Sequence, residues 1–271
     1  MSVLGRIFRL RAFQKEPLKF AARAVQWGVL SKSGQDFVDA ASEKYGFTMH
    51  LPVGKDGYGS RGFFLVRDYY EPFYEIIGQF LKLGDVFFDC GANQGIYTLA
   101  AAKLVGEKGR VFSFEPQPYA VKCLQDNLAL NELNNVTIIE AAVSDQKGMV
   151  SLDLSTSEVS ASIVTDFGGE KTLEVETVRL DDVAKEYAVV PDLIKLDVEG
   201  AEYMALQGAA DLLKEHKPIL VLEVMNPSME HVKQFHNYLT DMGYKANIIR
   251  ENELVEIDAL TTTEMNVVYK H

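Results

Sequence analysis

From residue 86 onward the chain alternates short apolar runs with longer stretches of helical period. Val86–Cys90, Arg110–Glu115, Val136–Glu140, Leu193–Val198 and Pro218–Val224 read as strands. Gly95–Val105, Pro118–Asn131, Ala201–Leu213 and Glu230–Met242 read as the helices among them. This alternation predicts a mostly parallel sheet with helices on both faces. Met149–Leu154, Ser162–Thr165 and Leu173–Arg179 interrupt it as extra strands, with Gly168-Gly169 as a turn. Tyr244–Arg250 and Glu264–Tyr269, joined by a short connection, predict a closing antiparallel pair at the sheet edge. Before Gly84 the pattern predicts a basic helix, a polar link at Ser31–Gln35, a second helical piece at Phe37–Tyr45 and a Gly-rich segment at Gly54–Gly62.

The stretch VFFDCGANQGIYT, Val86–Thr98, carries the first chemical signal. A strand that ends in a turn with Gly91, Asn93 and Gly95 and opens a helix is how α/β folds hold a nucleotide-like cofactor. Glycines admit a close ligand, and unpaired N–H groups at the helix start face it. Asp89 is a carboxylate where a pyrophosphate favours no negative charge. That points away from NAD and toward S-adenosylmethionine, whose ammonium and sulfonium suit a carboxylate. Asp89 as a turn-forming residue is the plainer alternative.

Ligands of open α/β sheets bind outside the carboxyl ends of the strands. The second strand ends in Glu115, 26 residues beyond Asp89, where an acid accepts hydrogen bonds from ribose hydroxyls. Pro116 then stops the ladder. The third runs into Glu140-Ala141-Ala142-Val143, small residues against which a flat base can lie. The fourth brings Lys195, Asp197, Glu199 and Glu202, and the fifth ends at Glu223.

Composition narrows the classes. The 271 residues, 47% hydrophobic and 24% charged, describe a soluble globular chain with a sizeable core. Two cysteines, Cys90 and Cys123, make no disulfide framework and suit a reducing cytoplasm. A net charge of −12 argues against general nucleic-acid binding. Residues 1–32 depart from it, with seven basic residues against the single acid Glu16. Leu4, Ile7, Phe8, Leu10 and Phe13 interleave with those charges at helical spacing. Three readings stay open: a helix packed on the domain, peripheral contact with a membrane surface or a partner, and a targeting segment.

The segments DCGANQG, VFSFEP, AAVSD and above all IKLDVEGAE resemble, in sequence and order, the FkbM family of S-adenosylmethionine-dependent methyltransferases. The resemblance covers roughly residues 65–269. It implies an α/β, Rossmann-like class I methyltransferase fold: a seven-stranded, mostly parallel sheet with an antiparallel last strand, here preceded by an N-terminal helical extension. Residues 1–64 then form the extension and Gly-rich link, and 65–271 the methyltransferase domain. The resemblance implies methylation of a hydroxyl on a sugar, glycan, polyketide or other metabolite. It places Asp89, Gly91, Asn93 and Gly95 around the methionine moiety, Glu115 (with Pro116) at the ribose, and Ala142 with Val143 at the adenine. Glu71, in the Tyr70-Glu71 pair, is expected near the methionine ammonium.

A hydroxyl acceptor loses a proton around methyl transfer, and Asp197 and Glu199 are the expected bases, two apart on one strand face. Two close carboxylates also push one pKa upward. Against this, Asp197 can cap the following helix, Glu202 can serve that helix's N-terminus, and Lys195 either orients Asp197 or merely pairs with it. No metal is expected, although Asp197 and Glu223 have the oxygen chemistry for Mg²⁺. The histidines show no ligand spacing; His50 is the one to watch, since it precedes an aromatic stretch, Tyr58–Tyr74. Those rings either roof the cofactor as a lid or dock the N-terminal region on the core. The competing functions are a dinucleotide-dependent oxidoreductase, for which the third glycine and a hydride-site group are missing, and a non-catalytic cofactor-binding adaptor docked through the basic N-terminus.

Overall fold

The computed structural model describes residues 10–54, 59–153, 162–163, 172–198, 200–224, 229–260 and 266–271. The N-terminal region holds the helices α1 (Arg11–Lys15) and α2 (Pro17–Ser33), the strands β1 (Phe37–Ser42) and β2 (Phe47–Pro52), and the short helices α3 (Ser60–Val66) and α4 (Pro72–Ile76). The alternating body follows: β3 (Val86–Cys90), α5 (Ile96–Val105), β4 (Arg110–Phe114), α6 (Pro118–Leu130) and β5 (Val136–Ile139). Next come β6 (Ala142–Val143), β7 (Gly148–Asp153), β8 (Ser162–Ile163), β9 (Thr172–Val178) and α7 (Leu180–Glu186). The chain then runs through β10 (Leu193–Leu196), α8 (Glu202–Gln207), α9 (Ala210–Glu215), β11 (Ile219–Glu223) and α10 (Met229–Asp241). It ends with β12 (Lys245–Arg250), β13 (Glu253–Ile257) and β14 (Asn266–Lys270).

The main sheet has the order β13-β12-β14-β11-β10-β3-β4-β5. Strands β11, β10, β3, β4 and β5 are parallel, and β14 runs antiparallel to both of its neighbours. The last strand is therefore reversed, as expected. The count is eight among the described residues, because β13 pairs antiparallel with β12 and extends the edge. The closing pair is also not the edge itself. Val267, Val268 and Tyr269 of β14 are fully buried, so that strand lies inside the sheet, while β13 has an exposed face.

Chain order reverses between β10 and β3, since β4 and β5 step outward one way and β11 the other. The crevice at their carboxyl ends is the switch point where such sheets bind ligands. The interrupting strands form a separate four-stranded sheet, β6-β9-β7-β8; the Gly168-Gly169 turn lies outside the described residues.

Two sequence expectations change. Phe37–Tyr45 is not helical: Val38, Ala40 and Ser42 point inward in alternation and the segment pairs antiparallel with Phe47–Pro52. Ala, Ser, Glu and Lys favour helix locally, but burial of one face of a hairpin overrides that preference. The Ala201–Leu213 helix is broken into α8 and α9 at Gly208-Ala209. There the backbone passes so close to Ser144 that a Cβ on Gly208 would overlap its carbonyl oxygen.

The aromatic stretch docks the N-terminal region and is not a lid. Phe63, Phe64, Phe73 and Tyr74 are fully buried in one core with Trp27, Met49, Leu51, Phe87 and Leu99. Trp27 lies 5.2 Å from Phe64, and Tyr74 meets Tyr97 of α5 edge-on at 5.6 Å. Such rings are committed to packing and are not free to swing. Tyr58 lies outside the described residues. Polar anchors reinforce the docking: Asn127 Oδ1 accepts the His50 N–H at 2.6 Å, and Asn131 exchanges hydrogen bonds with both backbone groups of Thr48.

Gly208 has φ −69°, so only space forbids a side chain there. Gly208→Ala should lower stability by about 1–3 kcal/mol, the usual cost of forcing an atom into a packed site. Urea denaturation checks this; an unchanged midpoint with an unchanged slope would show that the close approach is not required.

Candidate active site at the sheet switch point

The carboxyl ends of β3, β4, β10 and β11 deliver Asp89, Glu115, Asp197 and Glu223 to one rim. Gly91, at φ +81°, passes so close to β10 that a Cβ would overlap the carbonyl oxygen of Asp197, whose N–H donates to Cys90 O at 3.0 Å. Gly95, at φ +96°, has no room for a Cβ beside Leu99 and Leu124. Both glycines are thus demanded by the protein's own packing and left-handed backbone. Asn93 also has positive φ, and its side chain accepts the Gln94 N–H at 2.7 Å.

Glu115 is buried at the end of β4. One carboxylate oxygen accepts the Asn93 N–H at 2.8 Å and the other the Gln117 N–H at 2.9 Å. Burial nevertheless pushes its pKa up to about 7, those two hydrogen bonds working against the rise. Pro116, next in the chain, is half-buried between Glu115 and Gln117.

Asp89 is turned inward. Ser113 donates to Thr98, and Thr98 Oγ1 donates to Asp89 Oδ2 at 2.6 Å, so the carboxylate clamps the first turn of α5 to its strand. Its other oxygen is buried without a hydrogen-bond partner among the described residues, as is Gln94 Nε2. Desolvation raises the Asp89 pKa, opposed by Lys195 on the neighbouring strand.

Lys195 is the centre of the cluster. Its ammonium is almost fully buried, 2.7 Å from Asp197 Oδ2 and 4.7 Å from the Tyr97 ring centre. Its pKa is raised although desolvation opposes the charge, because Asp197, Asp89, Glu223 and Glu71 all bear on it. The ion pair fits both sides of the Lys195 expectation, since the same contact orients Asp197 and pairs with it. Glu71 is half-buried; its Oε2 accepts from Tyr97 OH at 2.7 Å and Asn266 Nδ2 at 3.4 Å. Desolvation raises Glu71, and desolvation with the Asp197 charge raises Glu223 to about 9.

Other expected residues fall elsewhere. Val143 packs in the core half that contains Phe114 and Leu180, and Ala142 in a small cluster with Leu152 and Val175. Both belong to β6 of the second sheet, which pairs with β9. Glu199 lies outside the described residues. Asp197 does not cap the next helix: α8 begins at Glu202 with no side-chain cap. Glu202 instead accepts the Gly200 N–H at 3.0 Å and pairs with His231 Nε2 of α10 at 2.7 Å. His50 sits on the hairpin surface, stacked on Phe37 and paired with Asp39, away from this rim. Sequence reading missed Tyr97, Thr98, Asn266 and His231. Tyr97 and Thr98 stand one turn into α5 and were open to a helix-face argument; Asn266 and His231 arrive from distant strands and helices with no local signal.

The sequence matches the methyltransferase FkbM domain over residues 89–246, more than half the chain. It belongs to the FkbM methyltransferase family. Methyltransferase sdnD of Sordaria araneosa is 29% identical over 190 residues, 58% of this chain and 72% of that protein. Hexuronic acid methyltransferase AglP of Haloferax volcanii is 27% identical over 138 residues, 51% of this chain and 55% of its own length. A crystal structure of the FkbM methyltransferase from Methylobacillus flagellatus aligns with a TM-score of 0.49 at 18% identity, covering 93% of this chain and 60% of that one. This chain thus spans little more than half of two of these three relatives.

The Glu202–His231 pair ties the loop after Asp197 to α10. The hydrogen bond to Glu202 raises the His231 pKa above its usual value. A histidine raised on folding adds stability that is complete below about pH 6.5 and fades as pH climbs through the raised folded value. His231→Gln should therefore cost most near pH 6 and progressively less toward pH 9, read as urea midpoints of both proteins across that range. A pH-independent difference would refute the ion pair.

Proposed function

We propose that this FkbM-family methyltransferase binds S-adenosylmethionine at the β3–β10 switch point and methylates a hydroxyl of a sugar, polyketide or other small metabolite. The observation that carries the reading is the charge imbalance there: one ammonium, Lys195, among four carboxyl groups, those of Glu71, Asp89, Asp197 and Glu223. Such a set suits a ligand bearing ammonium and sulfonium charge, and fits poorly with a pyrophosphate. The unpartnered oxygen of Asp89 and the buried carboxylate of Glu115 suit the same ligand, with Glu115 receiving the ribose hydroxyls. Gly91, Asn93 and Gly95 shape the turn against which the methionine part would lie, and Ala142 and Val143, which follow β5 in the chain, would meet the adenine.

When bound, the cofactor supplies an electrophilic methyl and a neutral thioether leaving group. The chain's own residues do the rest. Lys195 holds Asp197 by its Oδ2, and Asp197, which also shares a side-chain hydrogen bond with Glu223, would accept the acceptor hydroxyl's proton. Glu199, two residues on, is proposed as a second acceptor-side carboxylate. Glu71, held by Tyr97 and Asn266, would present its carboxyl group to the methionine ammonium, whose charge favours the ionised form. Holding the nucleophile in line contributes roughly 7–11 kcal/mol in well-oriented systems, and a positioned base about 10²–10⁴-fold. The hexuronic acid relative, by its name, acts on a sugar acid. That supports a hydroxyl-bearing acceptor here.

Calorimetry with S-adenosylhomocysteine should show binding, and NAD should show none; the reverse would favour an oxidoreductase. Because the ligand's hydroxyls favour ionised Glu115, affinity should rise with pH toward about 7 and level off above it.

Asp197→Asn should lower turnover by about 10²–10⁴-fold while S-adenosylhomocysteine still binds. Release of that product from a panel of sugars and polyketides reads the rate. Unchanged turnover would remove Asp197 from the chemistry.

A further inference from the structure

We propose that the outward face of α2 docks this protein onto an anionic lipid bilayer. The 17-residue helix is apolar on two opposite sides. Inward, Phe20 and Trp27 are buried, Trp27 against Phe64 and Phe20 edge-on to Phe13. Outward, Leu18, Val25 and Val29 are 85%, 70% and 63% exposed. Their spacing of seven and four residues places them on one stripe, with exposed Ala22 between them. A one-sided surface helix shows this only on its core face, so the second stripe needs a partner.

Charge selects lipid as that partner. Segment Pro17–Ser33 contains Lys19, Arg23 and Lys32 and no acidic residue. Lys15 precedes it, exposed, and Lys19 and Lys32 flank the stripe in the open. The nearest acid, Glu16, is engaged by Lys19 and Arg23. The preceding residues in sequence add Arg6 and Arg9 with Leu4, Ile7 and Phe8. An aliphatic row flanked by lysines is the composition of helices that lie in the plane of an anionic interface. Protein-docking patches centre instead on aromatic side chains, Met and Arg, and this stripe has none. No helix among the described residues is long and apolar enough to cross a membrane.

Co-sedimentation of the full chain with phosphatidylcholine vesicles, with and without about one-third phosphatidylglycerol, tests this. The protein should sediment only with the anionic vesicles and be released by high salt. Leu18→Ser/Val25→Ser/Val29→Ser and, separately, Lys15→Glu/Lys19→Glu/Lys32→Glu should each weaken partitioning by about tenfold or more, with unchanged circular dichroism. Equal sedimentation of the serine variant and the wild type would overturn the proposal. So would a wild-type dimer by light scattering that the serine variant dissolves and that ignores vesicles, since the stripe would then be a contact between copies.

Discussion

A buried ammonium with too many carboxylates organises this molecule. Lys195 stands mid-sheet on β10, beside Asp89 on β3 across the point where strand order reverses, and pairs with Asp197 at the carboxyl end of its own strand. Removing one partner of such a pair typically costs about 3–5 kcal/mol, because the other charge is left stranded. Yet four acids share the one cation, so burial drives Glu71, Asp89 and Glu223 toward their protonated forms. A protein shaped only for stability would place apolar side chains there. The surplus of carboxyl groups supports the proposal of a positively charged ligand here.

The N-terminal region exists in large part to hold that site. Its hairpin is pinned to α6 by Asn127 and Asn131, and Asn127 also donates to Gln94 O in the cofactor turn at 3.0 Å. Ser60 of α3 donates to Gln94 Oε1 at 2.9 Å. The turn is therefore gripped from two sides, by α3 of the N-terminal region and by α6, to which the hairpin is pinned. The aromatic layer between them, Phe63, Phe64, Phe73 and Tyr74, converts the extension into part of the same core.

Much of the site was legible in the chain because class I folds read in order. Asp89, Glu115, Asp197 and Glu223 each end an apolar run, and a strand's carboxyl end is where a parallel sheet presents side chains to a ligand. What periodicity did not reveal was partnership. Asp89 also binds Thr98 through one oxygen, and Ala142 and Val143 also pair in a second sheet. A strand period of two gives alternation, and does not reveal which face is the core until neighbouring strands are in place.

By itself, the order of apolar runs, turns and carboxylates determined the fold class, the family and the rim on which the chemistry is proposed, since all three depend on residues close in sequence. Tertiary structure alone decided that Phe37–Ser42 is a strand, because only its pairing with Phe47–Pro52 buries Val38 and Ala40. It also decided that Asn266, 195 residues away, would hold Glu71, and that His231 would hold Glu202. Those contacts join elements at long sequence separation, and their partners are chosen by packing, a property no local pattern contains.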